Sequence, residues 1–160
     1  MAVETNDGAL TIRVARADDL AAAVALLRHQ LDEHDVALEQ SALEHAVRVL
    51  IEQHELGRVL LAESAGAVVG VAVLSFLWTL EHGGAAAWLD ELYVAPPQRG
   101  RGIGRRMVEA AMDVARERGC VALDLEVEDG HDDAARLYAR MGFRRHRRVH
   151  WTRRLDATGG

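Results

Sequence analysis

A seven-residue run, Gln98-Arg99-Gly100-Arg101-Gly102-Ile103-Gly104, carries the clearest chemical signal in the chain. Three glycines at alternate positions remove the Cβ atoms that would hold a ligand off the backbone, and they free successive N–H groups to donate. The run follows a β-rich segment and Pro96-Pro97 and leads into a segment of helical periodicity. Its amides therefore stand at a helix N-terminus, where the dipole favours an anion by about 0.3–1 kcal/mol per charge. Arg99, Arg101, Arg105 and Arg106 add cations nearby. A pyrophosphate suits this combination. The dinucleotide fingerprint does not apply, because counting from Gly100 puts Arg105 where the third glycine belongs, and a P-loop needs a lysine that the chain lacks. Taken alone, the loop implies a phosphate-bearing ligand or a purely structural glycine turn.

The elements that position this loop follow from periodicity. Leu10 to Val14 alternates as a short strand, and Asp18-Asp19 is placed to cap a helix with the stripe Leu20, Val24, Leu27 and Leu31. A second helix is expected from about Leu38 to Glu55, ending before Gly57. Arg58–Ser64 and Val68–Leu77 read as a hairpin about Ala65-Gly66-Ala67, followed by a turn at 80–85 and a strand from Trp88 to Val94. After the glycine-rich loop a helix should bury Ile103, Met107, Ala110, Ala111 and Val114, with Gly119 closing it. A strand from Val121 to Val127, a helix from about Asp132 to Met141 and a final strand from Arg147 to Leu155 complete the pattern. Strands first, then strand–helix–strand–helix–strand, predict a mixed α/β sheet with helices on both faces.

Size and composition narrow the function classes. With 160 residues and 49% apolar content, the chain reads as a single domain, 1–160, with a core over about 10–155. No apolar run reaches the roughly 18–20 residues of a membrane span, and Met1 to Leu10 shows no signal-peptide pattern. Cys120 is the sole cysteine, which precludes an intrachain disulfide and fits a reducing cytoplasm. Every cation is an arginine. Residues 1–90 are strongly acidic and residues 91–160 mildly basic, so the second half is the one suited to phosphates. A pI near 5.7 argues against nucleic acid as a partner. The eight histidines form no zinc pattern, and no metal site is expected. Trp78, Trp88 and Trp151 read as core or dimer contacts, and Cys120 as a buried thiol.

The loop also has a wider context. Arg99-x-x-Gly102-x-Gly104, preceded by Leu92-Tyr93-Val94, resembles the acyl-CoA signature of the GNAT superfamily of N-acetyltransferases. His131-Asp-Asp-Ala-Ala-Arg-Leu-Tyr-Ala-Arg-Met-Gly-Phe143 is similar to the second motif of that family, with His131 where an asparagine is usual. Ile12-Arg13-x-Ala15-x-x-Asp18 resembles its opening strand and first-helix cap, and Leu89-Asp90-Glu91-Leu92-Tyr93-Val94 the acid-rich strand of polyamine-type members.

The resemblance implies a mostly antiparallel sheet flanked by helices and splayed at a central acyl-CoA site. It implies acetyl-CoA as acyl donor, held by Leu92, Tyr93, Val94, Arg99, Gly100, Arg101, Gly102, Ile103, Gly104, Arg105, His131, Ala134 and Tyr138. An amide near Leu92 would polarise the thioester carbonyl, and the Tyr138 phenol would protonate the departing thiolate. A primary ammonium is not a nucleophile, so a carboxylate must take its proton. The candidates, in order, are Asp90, Glu91 and Glu126. Because neighbouring strand residues point to opposite faces, only one of Asp90 and Glu91 is expected to face the acceptor. The expected reaction is direct acetyl transfer, in a ternary complex, to a small amine. The helical acids Asp32, Glu33, Asp35, Glu39 and Glu44 suit a cationic one. Acetylation of a protein or peptide N-terminus and a non-catalytic acyl-CoA-binding module are the alternatives. Relatives of this kind are often homodimers.

Overall fold

The computed structural model describes residues 10–155. Contacts group the chain into two compact units that divide between Glu126 and Val127. The first unit is built on an open five-stranded sheet in the order β1-β2-β3-β4-β5. The strands are β1 (Leu10–Val14), β2 (Gly57–Ser64), β3 (Ala67–Thr79), β4 (Gly84–Val94) and β5 (Ala122–Leu125). Neighbours pair antiparallel from β1 to β4, whereas β5 lies parallel to β4. A parallel neighbour requires a crossover, and α3 (Ile103–Glu117) supplies it.

Helices cover both faces. On one, α1 (Leu20–Glu33) and α2 (Gln40–Glu52) bury Val24, Leu27, Leu43, Val47 and Ile51 against Val59, Leu61, Val71, Val73 and Tyr93 of the sheet. Residue 70 points the other way from Val71, and a Cβ added to Gly70 would come within 2.8 Å of Met107 Sδ. That close approach places α3 on the opposite face. The whole expected stripe of α3 (Ile103, Met107, Ala110, Ala111, Val114) is buried. Burying Ile103, Met107 and Val114 contributes about 1.5–3 kcal/mol each, and the methyl groups of Ala110 and Ala111 about 0.8 kcal/mol each.

Several boundaries differ from those expected. The strand β4 begins at Gly84 rather than Trp88, and β5 is confined to Ala122–Leu125, which leaves Glu126 just past its end. Asp19 stands at the N-cap position of α1 without capping it; its carboxylate turns back to the Arg16 N–H (2.7 Å) and the Arg13 guanidinium (2.7 and 2.8 Å). The Arg13 hydrogen bonds hold the Asp19 carboxyl below the usual carboxylate range, burial opposing them. Trp78 and Trp151 lie on the surface rather than in a core, and Trp88 is half-buried.

The second unit contains α4 (Asp132–Arg140), followed by Gly142 with φ 90°. Phe143 then folds back, donating its N–H to the Tyr138 carbonyl (3.0 Å) and packing edge-on against the Tyr138 ring at 5.6 Å. The expected strand from Arg147 to Leu155 is not formed: residues 144–155 have no strand pairing among the described residues. Val149 and Trp151 alternate as a strand would, but they are 77% and 90% exposed. No apolar burial offsets the cost of ordering this arginine-rich segment.

The β2–β3 hairpin turns through two residues, Ala65 (φ 50°) and Gly66 (φ 78°), between the paired residues Ser64 and Ala67. Positive φ at both positions is the type I′ geometry, which prefers asparagine before glycine, and alanine there is strained by about 1–2 kcal/mol. Ala65→Asn should therefore raise unfolding free energy by up to about 1 kcal/mol with an unchanged denaturant slope, measured by urea titration.

Candidate active site

The register of β4 against β3 breaks once, and it breaks at the candidate base. Glu91 pairs with Val73, Leu89 with Leu74 and Trp88 with Ser75, so Asp90 is an extra residue with no partner. Val73 and Leu74 point to opposite faces of the sheet, and cross-strand partners share a face. Glu91 and Leu89 therefore point to opposite faces although they are two residues apart. Asp90 accepts a hydrogen bond from the Ser75 hydroxyl, and Ser75 lies on the face of Val73. Asp90 and Glu91 thus serve the same face, contrary to the alternation expected, because a β-bulge breaks the period of two. Leu89, beside them, is buried. Asp90 is open to solvent on one side, yet the surrounding protein desolvates its carboxyl and pushes its pKa up, with the Ser75 hydrogen bond pulling the other way.

Pairing between β4 and β5 ends at the same place. Leu89–Leu125 is the last matched pair, whereas β4 runs on to Val94. From Asp90 to Val94 the edge of β4 away from β3 has no strand partner among the described residues. Asp90 and Glu126 are the first residues past the last pair on the two lips of this opening, and Glu126 is exposed. Ser75, Trp88 and Asp124 form a row across β3, β4 and β5, and Asp124 Oδ2 lies 2.7 Å from His82 Nε2.

The glycine-rich loop stands beyond the end of β4. A 3-10 turn at Pro96–Gln98 leads into it, and α3 starts at Ile103 with Gly102 as its N-cap. Gly100 (φ 76°) and Gly102 (φ 77°) are left-handed, which explains the glycines, and a Cβ on either would meet no atom within 4 Å. The first turn of α3 leaves its N–H groups without intrahelical partners. Ile103 is buried, so its main chain alone can meet a ligand.

Arg99, Arg101 and Arg105 each have a side-chain partner within the protein. Arg99 does not reach toward the loop. Its NH2 binds both oxygens of Glu33 on α1 (3.0 and 2.9 Å), its Nε donates to the Val94 carbonyl (2.8 Å), and its guanidinium lies 5.2 Å from the centre of the Tyr93 ring. The Tyr93 hydroxyl donates to the same Glu33 (3.1 Å). Burial and the Glu33 carboxylate raise the Tyr93 pKa; Glu33 itself is held low, the Arg99 and Tyr93 hydrogen bonds overcoming desolvation. The Tyr93 side chain is consequently buried toward α1. Arg101 donates to Gln98 (2.6 Å) and Arg105 to Glu109 (3.0 Å), both exposed. The helical acids are not a uniform lure for cations either: Glu33 pairs with Arg99, Asp32 lies 3.9 Å from Arg28, and Glu44 accepts from Gln40.

In the second unit, His131 takes the N-cap position of α4 without a side-chain capping bond, and Ala134 and Tyr138 lie one turn apart on one stripe of the helix. Burial raises the Tyr138 pKa, keeping the phenol protonated and able to donate. Cys120 is partly buried and its thiol pKa is also pushed up, which favours an unreactive thiol.

Unmatched amides at a helix N-terminus, an open strand edge and two carboxylates beside it can bind an anionic, extended ligand and accept a proton nearby. Residues 18–143 match the Acetyltransferase (GNAT) family. The chain belongs to the GNAT family of acetyltransferases. GNAT enzymes take their acyl group from acetyl-CoA, and the left-handed glycines and open β4 edge fit such a ligand. The uncharacterized N-acetyltransferase YhfO of Bacillus subtilis is 28% identical over 134 residues, covering 84% of this chain and 89% of that protein. The thialysine N-epsilon-acetyltransferase of Mus musculus is 36% identical over 84 residues, half of this chain and 47% of that protein. The aminoglycoside N-acetyltransferase AAC(6')-Iy, solved in complex with CoA, superposes with a TM-score of 0.77 at 17% identity over 95% of this chain and 99% of that one, a likeness of fold. No helix among the described residues is long and apolar enough to cross a membrane.

Ser75, the His82–Asp124 pair and the Arg99–Glu33–Tyr93 cluster escaped the sequence reading. Each depends on partners 15 to 66 residues apart, for which a single sequence holds no local signal. The GNAT loop yields a direct test. Gly102→Ala forces a side chain into the left-handed region at a cost of about 1–2 kcal/mol. With open space around the new methyl, the fold should survive while CoA affinity, measured by calorimetry, falls about tenfold.

Proposed function

We propose that this chain transfers an acetyl group from acetyl-CoA to a primary amine of a small, cationic acceptor by direct attack, with Asp90 as the general base. The observation that carries the reading is the position of Asp90: displaced from the ladder by the bulge, at the point where β4 and β5 part, with a carboxyl more basic than usual. A base that must take a proton from an ammonium gains driving force from such a shift. Glu91 shares its face and assists electrostatically, and Glu126 stands third. Acetyl-CoA supplies an activated acyl group as a thioester. The amides of residues 100–105 hold its pyrophosphate, with Arg101 and Arg105 flanking, and the edge of Leu92, Tyr93 and Val94 pairs with the pantetheine. A main-chain N–H near Leu92 polarises the carbonyl, a contribution of about 3–4 kcal/mol where such donors have been removed. Ala134 and His131 line the ligand, and Tyr138 returns a proton to sulfur. The two compact units act as one acetyltransferase domain, which the family match spanning their boundary supports.

A cationic acceptor is favoured by Asp90 and Glu91 on one face, with Trp88 on the same face of the strand, since carboxylates and an aromatic face both attract ammonium groups. The thialysine and aminoglycoside acetyltransferases among the similar proteins are named for amine substrates.

Thiol release from acetyl-CoA over an amine panel tests this. Polycationic amines should be turned over best; neutral or acidic amines as the best acceptors would overturn the charge argument. Asp90→Asn should lower kcat by about 10²–10⁴ and Tyr138→Phe by about 10–10², each with little change in KM for acetyl-CoA. The wild-type acid limb should lie above the pH at which an ordinary aspartate titrates, because a raised pKa keeps the base protonated, and idle, to higher pH. Tight CoA binding without turnover of any amine would identify a binding module instead.

A further inference from the structure

Ser75 belongs to no motif, yet it is the residue that meets the displaced carboxylate. It is set from both sides: Gly57 opposes it on β2 and Trp88 on β4. At Gly57 the strands approach so closely that an added Cβ would fall 2.1 Å from the Leu74 carbonyl oxygen, which fixes β3 immediately before Ser75. Asp90 has no cross-strand backbone partner of its own, and its Oδ2 accepts from the Ser75 hydroxyl instead.

We infer that Ser75 is a positioning residue for acetyl transfer, holding Asp90 through Oδ2 so that Oδ1 is the atom presented to the acceptor ammonium. This rests on the reading of Asp90 as the base. A serine hydroxyl has a single proton to give; donating it to Oδ2 orients the carboxylate and leaves the lone pairs of Oδ1 for the proton leaving nitrogen. The hydrogen bond also favours the ionised form and so limits the rise that desolvation imposes. Other titratable groups serve this region: Glu91 on the same strand, Asp124 with His82 toward β5, Glu126 at the lip of β5, and Glu33 with Tyr93 and Arg99 toward α1. None of them is among the causes of the Asp90 shift, which are desolvation and Ser75 alone.

The test is the pH dependence of kcat/KM for wild type, Ser75→Ala, Ser75→Thr and Asp90→Asn, using acetyl-CoA and the fastest amine of the panel. Carboxyl titrations by ¹³C NMR on the same proteins, with Asp90 assigned by its loss in Asp90→Asn, give a readout independent of the acceptor. In Ser75→Ala the Asp90 titration and the acid limb should both move to higher pH. The rate at a pH on that limb should fall about tenfold, a change typical of losing one hydrogen bond to a charged group, with KM for acetyl-CoA unchanged. Ser75→Thr keeps the hydroxyl and should restore the wild-type profile. If Asp90→Asn is inactive but Ser75→Ala titrates and turns over as wild type does, the role given to Ser75 is wrong and the base assignment stands. Full activity in Asp90→Asn would remove the base assignment and the Ser75 role with it.

Discussion

At residue 90 the fourth strand carries one residue more than the third can pair, and most of what is distinctive about the site follows from that single mismatch. Without it, Asp90 and Glu91 would face opposite sides of the sheet and one of them would point toward α3. With it, Leu89 turns into the core while both acids serve the opposite face. The parallel partner β5 ceases to pair just before the same point, so the backbone of Asp90 to Val94 keeps an unpaired edge. An open edge is ordinarily a liability in a sheet, because it invites pairing with any other strand. In the proposed function that edge is where the extended, amide-containing arm of acetyl-CoA pairs.

Electrostatics divide between main chain and side chains in a way that composition alone does not suggest. The arginine-rich loop looks like a cationic phosphate clamp, yet Arg99 holds both oxygens of Glu33 through one nitrogen and lies over the Tyr93 ring. That cluster ties the C-terminal end of α1 to the end of β4 and so steadies the loop from behind. In the proposed site, anion binding rests on oriented amides at Gly100–Arg105 and the α3 dipole, while Arg101 and Arg105, both exposed, add a screened field. In that proposal the left-handed glycine at the N-cap is a stronger requirement than any one arginine.

Local patterns were legible, and non-local ones were not. The β1 strand from Leu10 to Val14, the buried stripe of α3 and the hairpin at Ala65-Gly66 all follow from periodicity and turn chemistry within a few residues. The glycine-rich loop and the Tyr138 helix could be read because their residue types sit at fixed short spacings. The bulge could not: Leu89-Asp90-Glu91-Leu92 contains no glycine or proline to mark it, and it arises from how β3 counts against β4. The Glu33–Arg99 pair spans 66 residues, beyond any local signal. The segment from Arg147 to Leu155 shows the converse failure, since Val149 and Trp151 alternate as a strand requires but stay exposed for want of a partner.

In the proposed function the open β4 edge and the glycine-rich loop together form the acetyl-CoA surface. Amide hydrogen exchange, resolved by residue with and without CoA, addresses it most directly. Protection should rise at amides within 90–94 and within 100–105, and hardly change in β1 and β2. Protection confined to the loop, or spread elsewhere with β4 unaffected, would contradict the account.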